Sequence, residues 1–551
     1  MSITTARRVG RRAFVLAAAA ALGAFRPGLR RARAAGGTPF LWGVGVRSSP
    51  RSSPARTVAL AHTPGSADRN RATLDFRLAR AAQVDFAVVA HRGAGENGST
   101  VQTLMTDSQL FGPGRHSFVW GPGDDAPPGT YVLRIGATDL RGERIDYREV
   151  APGGRRRNRA PVVRVVGVDA AFARRSFAPA EHATLVVAAE AAALTVELLR
   201  CGPEREPTYS NNEMKGVPVA EPLEIDWAHP PGEPAAIDVP VGDWPSGLYC
   251  ARVTGDTGLI GFAPFVLRPP RPRERIAVVL PTYTWQAYNF FDADADGFGD
   301  SWYVSTGTST IDLTRPHVNR GVPYRYRSYD LAFLRWLSRT QTAVDYYADD
   351  DLEAFPSGDA LRAAYDLLVF PGHSEYVTAH AYDVVERFRD LGGNLLFLSA
   401  NNFFRRVDRD GDRVRLVGLW RDLGRPEAAL AGVQYRASDR GQHQAPFTVT
   451  GASVAPWAFE GTGLADGATF GLYGIEIDSR AAASPPGTQV LARIPNLLGS
   501  GRSAEMTYYE APSGARVFSA GVLNFGGQLE LWPQPLKLFE NVWARLAETS
   551  G

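Results

Sequence analysis

The chain has 551 residues, enough for about three to four domains. Hydrophobic residues make up 44% and charged residues 21%, which excludes wholesale disorder. Lys plus Arg total 60 against 58 acidic residues, a net charge of +2 that argues against a nucleic-acid binder. Only Lys215 and Lys537 are lysines, so the arginine excess reads as compositional bias and not as phosphate recognition. The 39 prolines and 56 glycines favour many turns and a β-rich chain.

The first 34 residues read as an export signal. Arg11 and Arg12 precede Phe14, and an alanine-rich apolar run of 12 residues ends at Phe25. That run is shorter than the roughly 20 residues of a membrane-spanning helix. It suits a signal h-region followed by small residues at Ala32 and Ala34. The paired arginines resemble a twin-arginine signal, which implies export in the folded state. An ordinary secretory signal is the competing reading. Residues 1–34 hold eight arginines and no acid, so their removal leaves 52 basic against 58 acidic residues, a charge of −6. The mature chain is expected to be periplasmic, cell-surface or extracellular, with no membrane span.

Residues 38–150 alternate in short runs broken by turn residues, as in Thr73 to Leu78 and Val84 to Val88. This predicts a first β-sandwich. Its last third, with Gly114 to Trp120 and Pro127-Pro128-Gly129-Thr130-Tyr131-Val132-Leu133-Arg134, resembles the Ig-like repeat of flagellar-hook capping proteins. Gly153 to Asn158 reads as a linker. A second sandwich is expected over 161–270, with strands at Val162 to Val168, Thr184 to Val187 and Leu194 to Leu199. Cys201 and Cys250, the two cysteines of the chain, fall there. A disulfide and two buried thiols are both open readings in an oxidising compartment.

From Arg275 the texture changes. Ile276 to Leu280 is a continuous apolar run, the mark of a strand buried on both faces. Val344 to Tyr347, Leu367 to Phe370 and Leu395 to Leu398 are further strand candidates. Leu331, Leu334 and Leu337 mark a helix, and a second runs from about Ala379 to Leu391 with Gly392-Gly393 as its stop. Strand–helix alternation predicts a doubly wound parallel sheet over 275–545, with a β-rich part about 415–500. Such sheets bind ligands beyond the carboxyl ends of their strands. Three polar clusters follow these strands: Tyr283, Trp285, Gln286, Tyr288 and Asn289; Gly372 to Tyr376; and Ser399, Asn401 and Asn402.

Pro281 to Asn289, Gly372-His373-Ser374-Glu375-Tyr376, Asn401-Asn402, Gly461 to Gly467 and Met506-Thr507-Tyr508-Tyr509-Glu510 resemble the large (β) subunit of N,N-dimethylformamidase. The resemblance runs from about residue 275 to 545. It implies a glutamine amidotransferase-like scaffold and hydrolysis of a small linear amide. It also implies a mononuclear ferric site held by two tyrosines and a glutamate. On this sequence those fall at Tyr288, Tyr329 and Glu375, with Tyr324 and Tyr326 as rivals to Tyr329. Phenolate and carboxylate are hard donors that suit a hard cation. For direct ligation the three oxygens must lie within about 4 Å of one another, twice a metal–oxygen bond of about 2 Å. The resemblance further implies His373 orienting water or substrate, Asn401 donating to an oxyanion, and Glu510 (with Glu505 as competitor) protonating the leaving amine. Val377 departs from the family, which often has tryptophan there, and puts pocket shape in question. A small subunit or a homo-oligomer are the partners the family suggests.

Two further motifs compete. Gly372 to Tyr376 nearly matches the hydrolase elbow, making Ser374 the alternative nucleophile, but Tyr376 replaces the small last residue. Asp292, Asp294 and Asp296 begin like a calcium loop, yet Tyr303 stands at the twelfth position. A looser calcium site that adds Asp300 competes with a solvated acidic turn. Asp408 to Asp412 reads as a hairpin turn. A non-catalytic surface or carbohydrate-binding protein on the same scaffold is the competing class.

Overall fold

The computed structural model describes residues 39–48, 55–61, 71–91, 101–122, 128–149, 158–230, 232–294, 297–303, 308–499 and 501–548. The expected export signal, most of the expected linker, and Asp296 lie outside them. The molecule is rich in β-structure, with several sheets and few helices. Among the described residues no helix is long and apolar enough to cross a membrane.

The N-terminal part holds a three-stranded sheet (Leu41–Arg47, Ala72–Leu78, Gly114–Trp120) and a six-stranded sheet centred on Ala82–His91 and Gly129–Asp139. Ala72–Leu78 alternates buried and half-buried residues without a break, so its strict sequence alternation does mark one face packed inward. The run from Val162 to Val168 is not one strand. Val162–Val166 pairs with Gly129–Asp139, whereas Val168–Phe172 starts the next sheet beside His182–Ala189. The break falls at Gly167, where a Cβ would come within 2.6 Å of Pro128. Two sheets follow, one of them carrying Ala193–Arg200, Gly247–Gly255 and Ile260–Leu267. Cys201 and Cys250 are both buried free thiols.

The largest sheet has nine strands. In chain order they are β1 Ile276–Leu280, β2 Asp345–Ala348, β3 Leu367–Phe370, β4 Asn394–Phe397, β5 Gln444–Val449, β6 Thr469–Gly474, β7 Gln489–Ile494, β8 Ala504–Glu510 and β9 Arg516–Ser519. They lie in the order β2-β1-β3-β4-β9-β8-β7-β5-β6. The first five in that order are parallel and the rest antiparallel. The helices α1 Thr282–Ala287, α2 Leu331–Arg339, α3 Ala379–Asp390 and α4 Pro533–Ala547 connect and flank it. Alternate residues of the central strands feed two cores. Val278, Leu280, Val369 and Leu396 pack with α2 and α4, while Ala277, Val279, Leu368 and Leu395 pack with α3. Strands buried on both faces must be apolar throughout, which is why these runs carry no alternation. Each fully buried Val or Leu contributes about 1.5–3 kcal/mol. The antiparallel extension lies in the part of the chain where a β-rich segment was expected.

Beyond β2 stand three consecutive aspartates, of which Asp350 and Asp351 join this sheet to the β-structure that precedes it. Asp349 accepts from the Tyr283 amide at 2.7 Å and from the Thr282 hydroxyl at 3.3 Å. Asp350 accepts from Arg175 and from the Tyr283 hydroxyl. Asp351 accepts from the Ala348 amide at 2.8 Å and Ser176 at 3.0 Å, with Arg268 at 3.3 Å.

Candidate active site

Beyond the carboxyl ends of β1, β3 and β4 the chain brings a set of acids, phenols and one imidazole together. Tyr288 caps α1, the short helix that follows β1, and its amide donates to Thr284 O. The Thr284 hydroxyl in turn accepts from the Glu375 amide at 3.0 Å, so the loops after β1 and β3 are held together. The loop after β4 joins them, because the Arg405 amide donates to the Glu375 carbonyl at 2.9 Å. Gly372 allows the turn after β3: a Cβ there would stand 2.1 Å from Asp330 Oδ1.

Glu375 is the hub. Tyr288 Oη donates to its Oε2 at 2.8 Å, and Arg405 Nε donates to its Oε1 at 3.0 Å. Tyr303 Oη reaches the same carboxylate at 3.1 Å and also bonds the Tyr376 hydroxyl. His373 Nε2 stands 3.5 Å from Glu375 Oε2 and 3.7 Å from Glu476 Oε2. Asn401 Nδ2 donates to Glu476 Oε2 at 2.8 Å, while the Asn401 amide donates to both oxygens of Asp478. Asn401 and Phe403 both hold left-handed backbone, each at φ 56°. The rings of Tyr324 and Tyr303 stack on the Tyr288 ring, with centroids 5.1 and 4.4 Å away.

Burial dominates the electrostatics. It raises Tyr288 far above an ordinary phenol, and Glu375 and Tyr303 add to the shift. Glu476 is held well above the carboxylate range, first by burial and then by the neighbouring Glu375. Asp478 is pushed up to about 7 by burial. Glu375 is raised by burial against the opposing pull of Arg405. Burial pushes His373 down to about 3, leaving a neutral ring. Crowded carboxylates in a dry site resist ionising together.

Of the residues expected from the sequence, Tyr288, His373, Glu375 and Asn401 come together. Tyr329 is buried beside Ala400 and Leu523, with Tyr324 and Glu476 as electrostatic neighbours, and bonds neither Tyr288 nor Glu375. Its rival Tyr326 belongs to the apolar core near Cys201. Glu510 is placed elsewhere: it ends β8, its side chain 52% exposed, bonded by Tyr508 and Arg545. Glu505 pairs with Arg480 and Arg493. The acid that does face His373 is Glu476, on the strand Glu476–Ser479, which the sequence reading passed over. The alternation Glu476-Ile477-Asp478, with Ile477 fully buried, puts both acids on one strand face and was the available signal. Tyr303 was also missed as a site residue. Ser374 Oγ is buried with no hydrogen-bond partner, hence no base within reach, among the described residues. Val377 lines a small cavity with Tyr283, Ser374 and Tyr376. In the acidic loop, Asp292 accepts from the Gly297 amide and Asp300 from the Ala293 amide, both at 2.9 Å.

The donor set fits a hard cation. Two carboxylates and a phenol converge where one guanidinium supplies the only directly bonded positive charge among the described residues. Among the described residues His373 Nε2 and Asn401 Oδ1 are buried with no hydrogen-bond partner, although such groups are ordinarily satisfied. No group of three His, Cys, Asp or Glu residues forms a metal cluster among the described residues, so a cation here depends on phenol oxygen.

Residues 215–540, more than half of the chain, match the family described as "N,N-dimethylformamidase beta subunit-like, C-terminal". The chain belongs to this N,N-dimethylformamidase-like family. The match starts between the strands Ala193–Arg200 and Gly247–Gly255 and leaves the sheets before residue 215 outside. It spans every residue of the cluster around Glu375. No curated protein matches the chain. Among solved structures, trypsin-activated α2-macroglobulin from Escherichia coli is 9% identical over 42% of this chain and 16% of that chain, with a TM-score of 0.24. Salmonella α2-macroglobulin reacted with methylamine is 13% identical over 42% of this chain and 17% of that chain, with a TM-score of 0.20. The chain thus spans under a fifth of the length of these structures.

Proposed function

We propose that this member of the N,N-dimethylformamidase-like family is an exported hydrolase that cleaves the C–N bond of a small amide at the Glu375 cluster. The N-terminal sandwiches are read as Ig-like modules and the parallel-sheet part as a glutamine amidotransferase-like scaffold. The observation that carries the functional reading is the buried Tyr288–Glu375 pair, 2.8 Å apart, facing His373 and Glu476. Tyr288 and Glu375 would hold a single ferric ion, with Tyr329, Tyr324 or Tyr303 as the second phenol. Such an ion would supply Lewis acidity to a carbonyl oxygen.

The chain's own residues account for the remaining steps. Arg405 and Tyr303 fix the Glu375 carboxylate. Neutral His373, its Nε2 without a hydrogen-bond partner among the described residues, orients the attacking water. Glu476 keeps its proton because burial and Glu375 disfavour its charge, so it is the acid that protonates the departing nitrogen. Asn401 orients Glu476 through Nδ2. Water adds its oxygen to the acyl carbon, the C–N bond breaks, and a carboxylic acid and an amine leave. The test is metal analysis and amine release on the full chain purified from a host that exports it folded. One equivalent of iron, a visible phenolate charge-transfer band and amine release are expected. A folded protein that holds no iron and releases no amine overturns the reading. Tyr329→Phe, Tyr324→Phe and Tyr303→Phe, compared for that band, assign the second phenol.

A further inference from the structure

Arg405 opens the strand Arg405–Asp410 on the solvent side of Glu375. Its side chain is 29% exposed, whereas that of Glu375 is 2% exposed. One nitrogen, Nε, is committed to Glu375 Oε1 at 3.0 Å. The two terminal nitrogens have no acceptor among the described residues. Neighbouring arginines differ. Arg421 spends its terminal nitrogens on Glu427 and the Tyr435 carbonyl, and Arg425 spends its own on Asp383 and Glu386. Arg315, fully buried nearby, is used up on backbone carbonyls. Arg405 alone among these four is anchored through Nε with its end-on edge free. The Phe404 ring lies 5.2 Å from Cζ, and the Tyr303–Tyr376 hydroxyl pair adjoins it. The guanidinium is therefore held in one orientation before any ligand arrives.

We propose that Arg405 is a receptor for a carboxylate of the substrate, so the amide cleaved here carries an anionic group close to the scissile bond, as in an N-acyl amino acid. This rests on the reading that the Glu375 cluster cleaves an amide. A planar guanidinium edge with two parallel N–H donors matches a carboxylate bidentately and offers nothing comparable to a neutral dialkylamide. The carboxylate would take the two terminal nitrogens of a guanidinium whose Nε is already held by Glu375.

The experiment uses the full metal-loaded chain and two anionic amides, N-acetylglycine and succinamate, which carry the carboxylate on the amine and acyl sides. Each is paired with its neutral carboxamide. Binding is read by calorimetry, and kcat/KM by amine release. At least one anionic member is expected to exceed its neutral partner by about 10²-fold in both, the worth of charged hydrogen bonds. In Arg405→Met that ratio collapses toward one, and Arg405→Lys keeps part of it. Because Arg405 also supports Glu375, the ratio is the readout and not the absolute rate. Arg405-dependent carboxylate binding without turnover supports the receptor and overturns only the hydrolytic reading. Turnover of neutral amides with no carboxylate preference, or a preference that survives Arg405→Met, overturns the receptor and leaves hydrolysis standing.

Discussion

Two clusters of buried carboxylates lie beyond strand ends of the same sheet, and they are finished differently. At the end of β2, Asp349, Asp350 and Asp351 each take donors from backbone amides, hydroxyls or arginines. Beyond β3 and β4, Glu375, Glu476 and Asp478 stand beside His373 Nε2 and Asn401 Oδ1, which have no hydrogen-bond partner among the described residues. The first cluster joins the sheet to the β-structure before it through Arg175 and Ser176. The second leaves two buried polar side-chain atoms without a hydrogen-bond partner among the described residues. A buried acid is therefore a poor marker of chemistry, whereas a buried acid beside unsatisfied neighbours is a better one.

That contrast can be broken by substitution. The largest effect is expected for Glu375→Gln, which removes the anionic hub without changing its shape. Iron content and amide hydrolysis should both fall to background while the fold persists, as read by metal analysis and circular dichroism. A variant with native iron would place the cation elsewhere. Asp351→Ala should do the reverse. It strands the Ala348 amide, Ser176 and Arg268, and costs about 3 kcal/mol of unfolding free energy in urea titration. Turnover per folded molecule should be unchanged.

A subtler contrast concerns pH. Burial pushes Asp349 up to about 8. An unfolded aspartate loses its proton near pH 4, so between about pH 4 and pH 8 the folded state holds a proton the unfolded state has released. The stability this group contributes is full at acid pH and is lost as pH rises through that window. An asparagine side chain at this position would still accept from the Tyr283 amide. Asp349→Asn should therefore lose less unfolding free energy between about pH 5 and pH 8 than the native chain, as read by urea titration, a slope difference on the order of 1 kcal/mol per pH unit. An equal slope would show that Asp349 is already ionised. The smallest effect is expected for Ser374→Ala, since no base reaches Ser374 Oγ. Iron content and kcat near native are the expected result, and loss of turnover with iron retained would favour a serine nucleophile.

The sequence revealed the site unevenly, for physical reasons. Strands β1, β3 and β4 are buried on both faces, so their apolar runs are unambiguous, and the residues after them stand where parallel sheets expose their loops. Tyr288, His373, Glu375 and Asn401 were legible on those grounds together with their motifs. Glu476 was not, because its strand lies outside the parallel sheet, in a two-stranded pairing with Gln434–Ser438. Glu510 misled because Met506 to Glu510 is rich in buried residues that run out at the last position, which faces solvent. The Val162 to Val168 run misled in another way: hydropathy is blind to a change of sheet, and only the glycine between the two halves marked it.

The loop that carries Asn401 has a cost that bears on how the protein would respond to selection. Left-handed backbone costs an ordinary residue such as Phe403 about 1–2 kcal/mol and an asparagine less, and this loop holds Asn401 and Phe403 in it two positions apart. Phe403 cannot be relaxed to glycine cheaply, because its ring packs against Phe370, Tyr382 and Phe397. Asn401 can be, at the loss of the amide that orients Glu476. A library screened for heat resistance alone should therefore drift toward glycine at position 401 and shed turnover, while one screened for turnover should keep asparagine and its strain. Thermal hardness and catalysis compete for the same backbone angle.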